Sequence, residues 1–199
     1  MVRRAVFTTL FLCFCSGPFV LSEKEGRNQG ASVSAVLGFV NGFGQKSGSK
    51  LISLFTPDAT VEVKGIGVIA QGKRGLLDFF GYAQAVGSRL NGFDFQIKEE
   101  TVFCRLSERN ELYEILDLGQ VSYDAWFVFQ RRRVLRLVIQ PETGTNLIFF
   151  GQALGFLNWL KGNEPNAVNE LMPDGRFRFS AENGRRLLKL AERWRSQRR

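Results

Sequence analysis

Three aspartates stand on or beside strand-like stretches and are candidates for acid–base chemistry: Asp94, Asp117 and Asp124. A carboxylate that faces a cavity can move a proton to or from a bound molecule when it lies within hydrogen-bond reach. The tyrosines that can supply neighbouring hydroxyl donors are Tyr82, Tyr113 and Tyr123. Each aspartate has an alternative role as a solvated or ion-paired surface group, so these residue types alone leave catalysis open.

The composition removes several other kinds of site. The 199 residues include no histidine, which excludes His-based nucleophile pairs and removes the commonest metal ligand. The three cysteines form no cluster, and Cys104, in an apolar stretch, is expected to be a buried structural thiol. Glycine motifs that bind phosphates or dinucleotides are absent as well. We therefore expect neither a metal ion nor a cofactor.

The elements that must position these side chains follow an α+β order. Apolar residues at helical spacing predict helices within 32–43, 50–55 and 73–87. Alternating or apolar runs predict strands at 59–63, 68–70, 93–98, 101–106, 112–118, 125–130 and 134–140. Turns are predicted at 91–92 and 107–110, and a polar loop at 163–174. A series of antiparallel strands after helices is typical of the α+β class.

One stretch carries a resemblance to a known superfamily. Residues 54–83 read LFTPDATVEVKGIGVIAQGKRGLLDFFGYA, and the later pair WFVFQ and VLRLVIQ is similar to a closing hairpin. In this order they resemble the nuclear-transport-factor-2-like superfamily, over residues 33–140. The resemblance implies a cone-shaped domain whose curved, mainly antiparallel sheet wraps around N-terminal helices. Members include ketosteroid isomerases, polyketide-cyclase-type (SnoaL-like) enzymes, dehydratases and binding modules without catalysis.

The resemblance also implies where a site would be. The acid, tyrosine and second acid of a ketosteroid isomerase fall on Val63, Phe39 and Ala125, which are apolar. Proton abstraction by that arrangement is therefore not expected. The residues expected to line a cavity in the cone are Phe39, Val63, Tyr82, Tyr113, Trp126 and Phe127. By analogy with the superfamily, a homodimer is also expected.

The two ends of the chain differ from this central part. Residues 1–22 begin with basic residues and an apolar run, which predicts a signal peptide and a secreted or organelle-lumenal protein. Residues 23–31 are polar and predict a flexible N-terminus before a cone domain at 32–144. The remainder, 145–199, is predicted to be a helical extension. Its apolar helix at 147–160 has three open placements: covering core, lying in a membrane interface, or forming a dimer contact.

The formal charge of +8 is concentrated near the C-terminus. Residues 176–199 contain nine basic and two acidic residues, a net charge of +7. Ser180 is expected to cap a final amphipathic helix that carries the basic tail Arg185–Arg199. Such a tail can bind an acidic partner or an anionic membrane surface, or can be a solvated helix face. Nucleic acid is not expected, because the sheet shows no basic and aromatic pattern of the kind that binds single strands.

Three functions remain open from the sequence. The first is a secreted or lumenal cone domain that binds a small lipophilic ligand without catalysis. The second is a polyketide-cyclase or dehydratase-type enzyme with a cavity carboxylate as its general base. The third is an interaction module that docks through the 147–160 helix or the basic tail. A cavity with a carboxylate beside a tyrosine would favour the second, and a filled cone would favour the third.

Overall fold

The computed structural model describes the backbone of residues 23–45 and 48–198, and the side chains in those ranges except for 23–29 and 143–150. The helices are α1 (Glu23–Gly42), α2 (Gly48–Leu51), α3 (Gly72–Ala85), α4 (Glu111–Ile115), α5 (Thr143–Asn163), α6 (Pro165–Leu171) and α7 (Ala181–Gln197). The strands are β1 (Phe55–Val63), β2 (Gly67–Gln71), β3 (Arg89–Lys98), β4 (Thr101–Arg109), β5 (Val121–Gln130) and β6 (Arg133–Pro141). The predicted signal peptide, residues 1–22, lies outside the described residues.

The strands form one mixed sheet in the order β2-β1-β6-β5-β4-β3. The β1–β6 pair is parallel and the other four pairs are antiparallel. Register shifts interrupt β1, β3 and β5, and such bulges bend a strand and increase its twist. The result is the curved, mainly antiparallel sheet of an α+β cone with a C-terminal helical extension, so the predicted fold class is confirmed.

Phenylalanines fill the space between the sheet and the helices α1 and α3. Phe39 of α1 lies at the centre, with its ring centroid 5.4 Å from that of Phe127 on β5 and 5.8 Å from that of Phe55 on β1. Phe43 and Phe80 complete the group around it. Edge-to-face and tilted ring pairs of this kind contribute beyond the area they bury. Much of the phenylalanine content therefore serves the core of the cone.

A second apolar cluster joins α4 to the C-terminal helices. Its buried members include Leu112 and Ile115 of α4, Phe156 and Leu160 of α5, and Trp194 of α7. The predicted 147–160 helix is thus the middle of α5, and of its three open placements the structure shows the one in which it covers core. Among the described residues, no helix combines the length and apolar character needed to cross a bilayer.

The chain between residues 107 and 118 differs from the sequence prediction. The predicted turn at 107–110 is wrong, because β4 continues through Arg109. The predicted strand at 112–118 is also wrong, because α4 occupies Glu111–Ile115. Asn110 caps this helix, its side chain accepting a hydrogen bond from the backbone N–H of Tyr113 at 2.8 Å. A capped first turn with acidic residues favours a helix over a strand.

Three further predictions need correction. The Asn91–Gly92 pair is not a turn but part of β3, where a β carbon on Gly92 would come within 3.3 Å of Val40 on α1. Glycine suits this position because a β carbon would crowd the side-chain ends of Phe95 and Val40, at 3.0 and 3.3 Å. The stretch 23–31 belongs to α1, since most of its residue types have good helix propensity. The predicted loop at 163–174 contains α6, which begins at Pro165, a favoured first helical residue.

The basic tail forms most of α7, and part of its charge is engaged. Ser180 accepts a hydrogen bond from the backbone N–H of Asn183 at 3.1 Å, as expected of a cap. Arg186 pairs with Glu170 and Arg193 pairs with Glu164, which ties α7 to the α5–α6 region. The guanidinium of Arg198 lies 4.4 Å from the ring centroid of Trp194. These contacts stabilise the packing of α7, whatever else its exposed cations bind. Arg199 lies outside the described residues.

Candidate active site

A cavity of about 350 Å³ lies between the inner face of the sheet, the helices α1 and α3, and the segment that leads into α7. Most of its lining is apolar. The apolar side chains include Phe39, Phe43, Phe79, Leu106, Leu137, Ile139, Phe177 and Phe179. Apolar cavities of this size with a few polar groups are typical of small-molecule sites. The cone is therefore not completely filled by its own side chains.

The polar groups of the cavity are arranged around Glu108, near the end of β4. On this strand Val102, Cys104 and Leu106 are buried on the inner face, and Glu108 is the next residue of the same alternation. Its side chain lines the cavity. Because β4 continues to Arg109, the strand geometry aims a carboxylate at the same space as the core side chains.

Four side chains donate hydrogen bonds to this carboxylate. Ser88 Oγ donates to Oε1 at 2.6 Å and Asn110 Nδ2 donates to Oε1 at 3.1 Å. The hydroxyl of Tyr123 donates to Oε2 at 3.1 Å, and that of Tyr113 lies 3.4 Å from the same oxygen. The two tyrosine hydroxyls are also 2.7 Å apart, and because each carries a single proton, each donates either to Oε2 or to the other hydroxyl. Glu108 is thus held in one orientation with a connected pair of hydroxyl groups on its Oε2 side.

Asn110 links this site to local backbone structure. Its Oδ1 caps α4, while its Nδ2 donates to Glu108. The cap places Tyr113 one turn into α4, so the same residue fixes both the carboxylate and one of its hydroxyl partners. Ser88 comes from the other direction, in the short connection between α3 and β3, where its backbone N–H donates to the carbonyl of Ala83 at 2.9 Å.

Burial governs the electrostatics of these groups. Desolvation raises the pKa of Glu108 above its ordinary value of 4.5, and the four hydrogen bonds only partly oppose this effect. No basic side chain among the described residues forms an ion pair with it. Burial, aided by the charge of Glu108, likewise raises the pKa of Tyr82 and Tyr113 above the ordinary value of 10.0. The tyrosines therefore remain protonated donors at neutral pH, and Glu108 is a stronger base than an exposed glutamate.

Tyr82 of α3 differs from the other two tyrosines. It lines the cavity, and its hydroxyl forms no hydrogen bond with any residue that the structure describes. Its ring packs edge-on against Phe177 and Phe179, with centroid distances of 5.5 and 5.1 Å. The negative charge of Glu108 contributes to its raised pKa, so the hydroxyl is within electrostatic reach of the carboxylate. It is available to donate to an oxygen atom of a bound molecule.

Four of the six residues predicted to line a cavity do so: Phe39, Val63, Tyr82 and Tyr113. The other two do not. Phe127 is fully buried beneath Phe39, in the core rather than at the cavity surface. Trp126 lies on the outer face of the sheet, where the Nζ atom of Lys64 is 4.0 Å from the centroid of its ring. The alternation of β5 places its odd-numbered side chains inward and Trp126 outward.

The three candidate aspartates are not brought together, and none lines the cavity. Asp94 occupies the bulge of β3 with a φ of 55° and lies 3.5 Å from Arg105. Asp124 alternates with the inward Tyr123, so it lies on the outer face, 3.8 Å from the same arginine. Asp117 follows α4 with a φ of 56° and is exposed. The bulge and the unexpected helix interrupt the strand alternation expected around Asp94 and Asp117, and Asp124 lies on the outward side of β5.

The residues that the sequence prediction missed are Glu108, Ser88 and Asn110. A detectable signal existed for Glu108, because the alternation from Val102 through Leu106 extends by one step to position 108. Assigning residues 107–110 to a turn concealed it. Ser88 carries no such signal, since its role arises from the pairing of β3 with β4. Of the three positions that align with the catalytic groups of a ketosteroid isomerase, Phe39 and Val63 line the cavity and Ala125 is buried in the core. The carboxylate that lines the cavity in this chain, Glu108, is at none of these positions.

The described residues contain no group of three histidine, cysteine, aspartate or glutamate side chains that is arranged to hold a metal ion. Cys104 is a free, buried thiol on the inner side of β4, and burial raises its pKa to about 12. It is therefore not a nucleophile at neutral pH. The chemistry available in the cavity is that of one carboxylate and three phenolic hydroxyls.

Comparison with known proteins identifies the fold. No family model matches the chain, and no curated protein matches it either. Among solved structures, it is similar to the epoxide hydrolase/cyclase-like enzyme SalBIII, which has a role in pyran ring formation in the polyether salinomycin (TM-score 0.52, 11% identity, 59% of this chain and 95% of that chain). It is also similar to a SnoaL-like polyketide cyclase from Jannaschia sp. CCS1 (TM-score 0.50, 11% identity, 59% and 90%). At these identities the likeness shows a shared fold.

Proposed function

We propose that this chain, which has the cone fold of the nuclear-transport-factor-2-like superfamily, is an acid–base enzyme for a small, mainly apolar substrate that carries a carbonyl or hydroxyl oxygen. One observation carries the proposal: a glutamate with a raised pKa and two tyrosine hydroxyls lie together at the surface of an otherwise apolar cavity. Ionisable groups with shifted pKa values in a cavity are enriched at functional sites. The reaction class is proton transfer, as in isomerisation, cyclisation or dehydration.

The proposed step for a ketone substrate uses groups already in place. The ionised carboxylate of Glu108 removes a proton from the carbon next to the carbonyl. The electrons of that C–H bond form a carbon–carbon double bond, and the carbonyl electrons move to oxygen. The Tyr82 hydroxyl donates a hydrogen bond to this oxygen, where negative charge develops. Where a neighbouring C=C bond extends the enolate, return of the proton from Glu108 to the γ carbon shifts the double bond and completes an isomerisation, and return to the original carbon gives exchange only. Tyr113 and Tyr123 stabilise the ionised acid between turnovers.

The test measures proton transfer directly and needs no knowledge of the natural substrate. The purified protein is incubated in deuterated water with the enolisable ketone β-tetralone, and deuterium uptake next to the carbonyl is followed by mass spectrometry. We expect exchange above the buffer rate, and we expect Glu108→Gln to lower it by roughly 10²–10⁴-fold. Glu100→Gln is the matched control, since Glu100 is exposed at the other end of β4 and its loss should leave the exchange rate unchanged. Equal rates for the protein and for buffer would refute the proposal.

A second function is favoured by the hydrogen bonds of Glu108. Each of its oxygens already has two donor groups from the protein within 3.4 Å, which suits a fixed charge that orients a ligand as well as a base. A carrier of this kind would bind a lipophilic molecule without turnover. Native mass spectrometry with organic extraction distinguishes the two: a ligand retained by both the wild-type protein and Glu108→Gln, with no exchange in either, supports the carrier.

A further inference from the structure

A second cavity of about 170 Å³ lies inside the C-terminal extension, next to the first. It is lined by α4, α5, the end of α6 and the first half of α7, and it is partly open to solvent. Its walls are apolar side chains such as Ala153, Phe156, Leu157, Leu160, Leu171 and Met172. Because these apolar walls offer water no hydrogen-bond partners, covering them with hydrocarbon is favourable. The proposed acid–base chemistry makes no use of this space.

The two cavities share a partition. Leu112 and Tyr113 of α4, Phe177, and Leu187 of α7 line both of them. Tyr113 is the most informative of these residues, because its hydroxyl belongs to the Glu108 network while the residue also lines the second cavity. Tyr113 therefore lies between the polar end of the first cavity and the apolar space of the second.

Phe177 is the member of this partition that lies outside a helix. It is half-buried and lies in a segment without regular secondary structure between residues 176 and 180. The segment is held by the backbone N–H of Arg178, which donates to the carbonyl of Leu171 at 2.9 Å, and by Asn183 Nδ2, which donates to the carbonyl of Arg178 at 2.7 Å. These bonds fix the backbone next to Phe177, whose ring packs against those of Phe179 and Tyr82 with centroid distances of 4.9 and 5.5 Å. A tail that enters the second cavity must displace this ring.

We infer that the substrate is a molecule with an oxygen-bearing head and a single hydrocarbon tail. The head lies by Glu108 and Tyr82, and the tail passes Phe177 into the second cavity. This inference rests on the proposed function for the identity of the head, and it assigns to the C-terminal extension the selection of tail length. The second cavity has room for on the order of five methylene groups, each close in volume to a water molecule.

The test measures binding, not turnover, across the straight-chain methyl ketones from seven to twenty-one carbons in length. At one water volume per carbon, the first cavity has room for about eleven carbons and the two cavities together for about seventeen. The series therefore brackets the length at which both cavities are full. Displacement of a fluorescent apolar probe gives a Kd for each. Burial of one methylene corresponds to about a fourfold change in Kd. We expect affinity to rise by about that factor per carbon and to level off once the second cavity is full.

Two substitutions should have opposite effects on the binding of long ketones. Ala153→Phe fills the second cavity from α5 and should shift the plateau to tails shorter by about three carbons. Phe177→Ala removes the ring from the partition and should tighten the binding of the long ketones severalfold. Asn158→Phe adds the same ring on an exposed position of α5 and should leave the series as in the wild-type protein. Thermal unfolding of each variant verifies that it is folded.

The outcomes separate this inference from the proposed function. A plateau that stays at the same tail length in Ala153→Phe, with long ketones bound no more tightly by Phe177→Ala, overturns the tail site. A plateau that moves as expected in a protein that exchanges no deuterium into β-tetralone supports the tail site and refutes the enzyme. Deuterium exchange without any dependence of Kd on tail length supports the enzyme and refutes the tail site.

Discussion

The raised pKa of Glu108 has a consequence for stability that can be measured without a substrate. Below the ordinary glutamate pKa of 4.5, folded and unfolded chains both carry the proton at this position. Above it the unfolded chain loses the proton first, while the folded protein retains it up to its own higher pKa. In that window a rise in pH favours the unfolded state, so the stabilising contribution of the protonated acid is lost as pH increases.

The slope in that window follows from the difference of one bound proton. The free energy of unfolding should fall by up to about 1.4 kcal/mol per pH unit because of Glu108, and the fall should stop once the folded-state acid is also ionised. Other carboxylates titrate too, and many of them act in the opposite direction. The quantity to compare is therefore the difference between the wild-type protein and Glu108→Gln, in which the remaining groups largely cancel.

Urea unfolding of both proteins at half-unit steps between about pH 4 and pH 8 provides this difference. The stability of the wild-type protein relative to Glu108→Gln should decrease as pH rises from 4.5 and then become constant. Glu100→Gln, which alters an exposed acid near the other end of β4, is the control for the loss of a carboxylate outside the cavity. A relative stability that increases with pH would refute the reasoning, because it would mean that the four hydrogen bonds outweigh desolvation and hold the pKa of Glu108 below its ordinary value.

Other features lead to further expectations. Gly184→Ala should lower the free energy of unfolding by about 1–3 kcal/mol, because its new β carbon would lie 2.9 Å from that of Ala85 on α3. Gly151→Ala, in open space on α5, should be neutral or stabilising by up to about 1 kcal/mol. Urea unfolding compares the two variants, and equal effects would contradict this packing. Ser180→Ala should cost about 1 kcal/mol through loss of the α7 cap, which calorimetry can measure; no loss would show that the cap is dispensable. Cys104 should react with a thiol reagent only on unfolding, since it is buried with a pKa of about 12, and rapid labelling of the native protein would contradict its placement.

The sequence alone predicts the cone because its signals are local. The proline-interrupted start of β1 and the apolar spacing in α3 are properties of short segments, and both elements occur where the patterns place them. The resemblance to the superfamily predicts four lining residues of the cavity, from Phe39 on α1 to Tyr113. Periodicity succeeds where an element is long enough to show its repeat.

The acid was missed because its position depends on contacts between elements. Glu108 is inward only because β4 runs to Arg109, and that extension is fixed by pairing with Arg89 on β3 and with Val121 on β5. The helix α4 is five residues long, too short for its apolar spacing to differ clearly from that of a strand. Bulges such as the one at Asp94 shift the alternation by one residue, which reverses the face predicted for a side chain.

The role of the segment before α7 could not be predicted either. Phe177 and Phe179 alternate with arginines, which identifies an apolar side but not what covers it. In the structure the two rings pack on Tyr82 and close one side of the first cavity. A short extended segment gains its position from the helices on either side of it, and that information is spread over the whole extension.

All three tyrosines of the chain line the first cavity, whereas its three tryptophans lie on the outer face of the sheet or in the C-terminal cluster. Because the tyrosines and the tryptophans lie in different places, a spectroscopic label on tyrosine reports on the first cavity alone. Biosynthetic incorporation of fluorotyrosine would place every fluorine nucleus at the cavity, so that a fluorine NMR spectrum would report ligand entry, hydroxyl ionisation and ring motion at this one location without any substitution in the sequence.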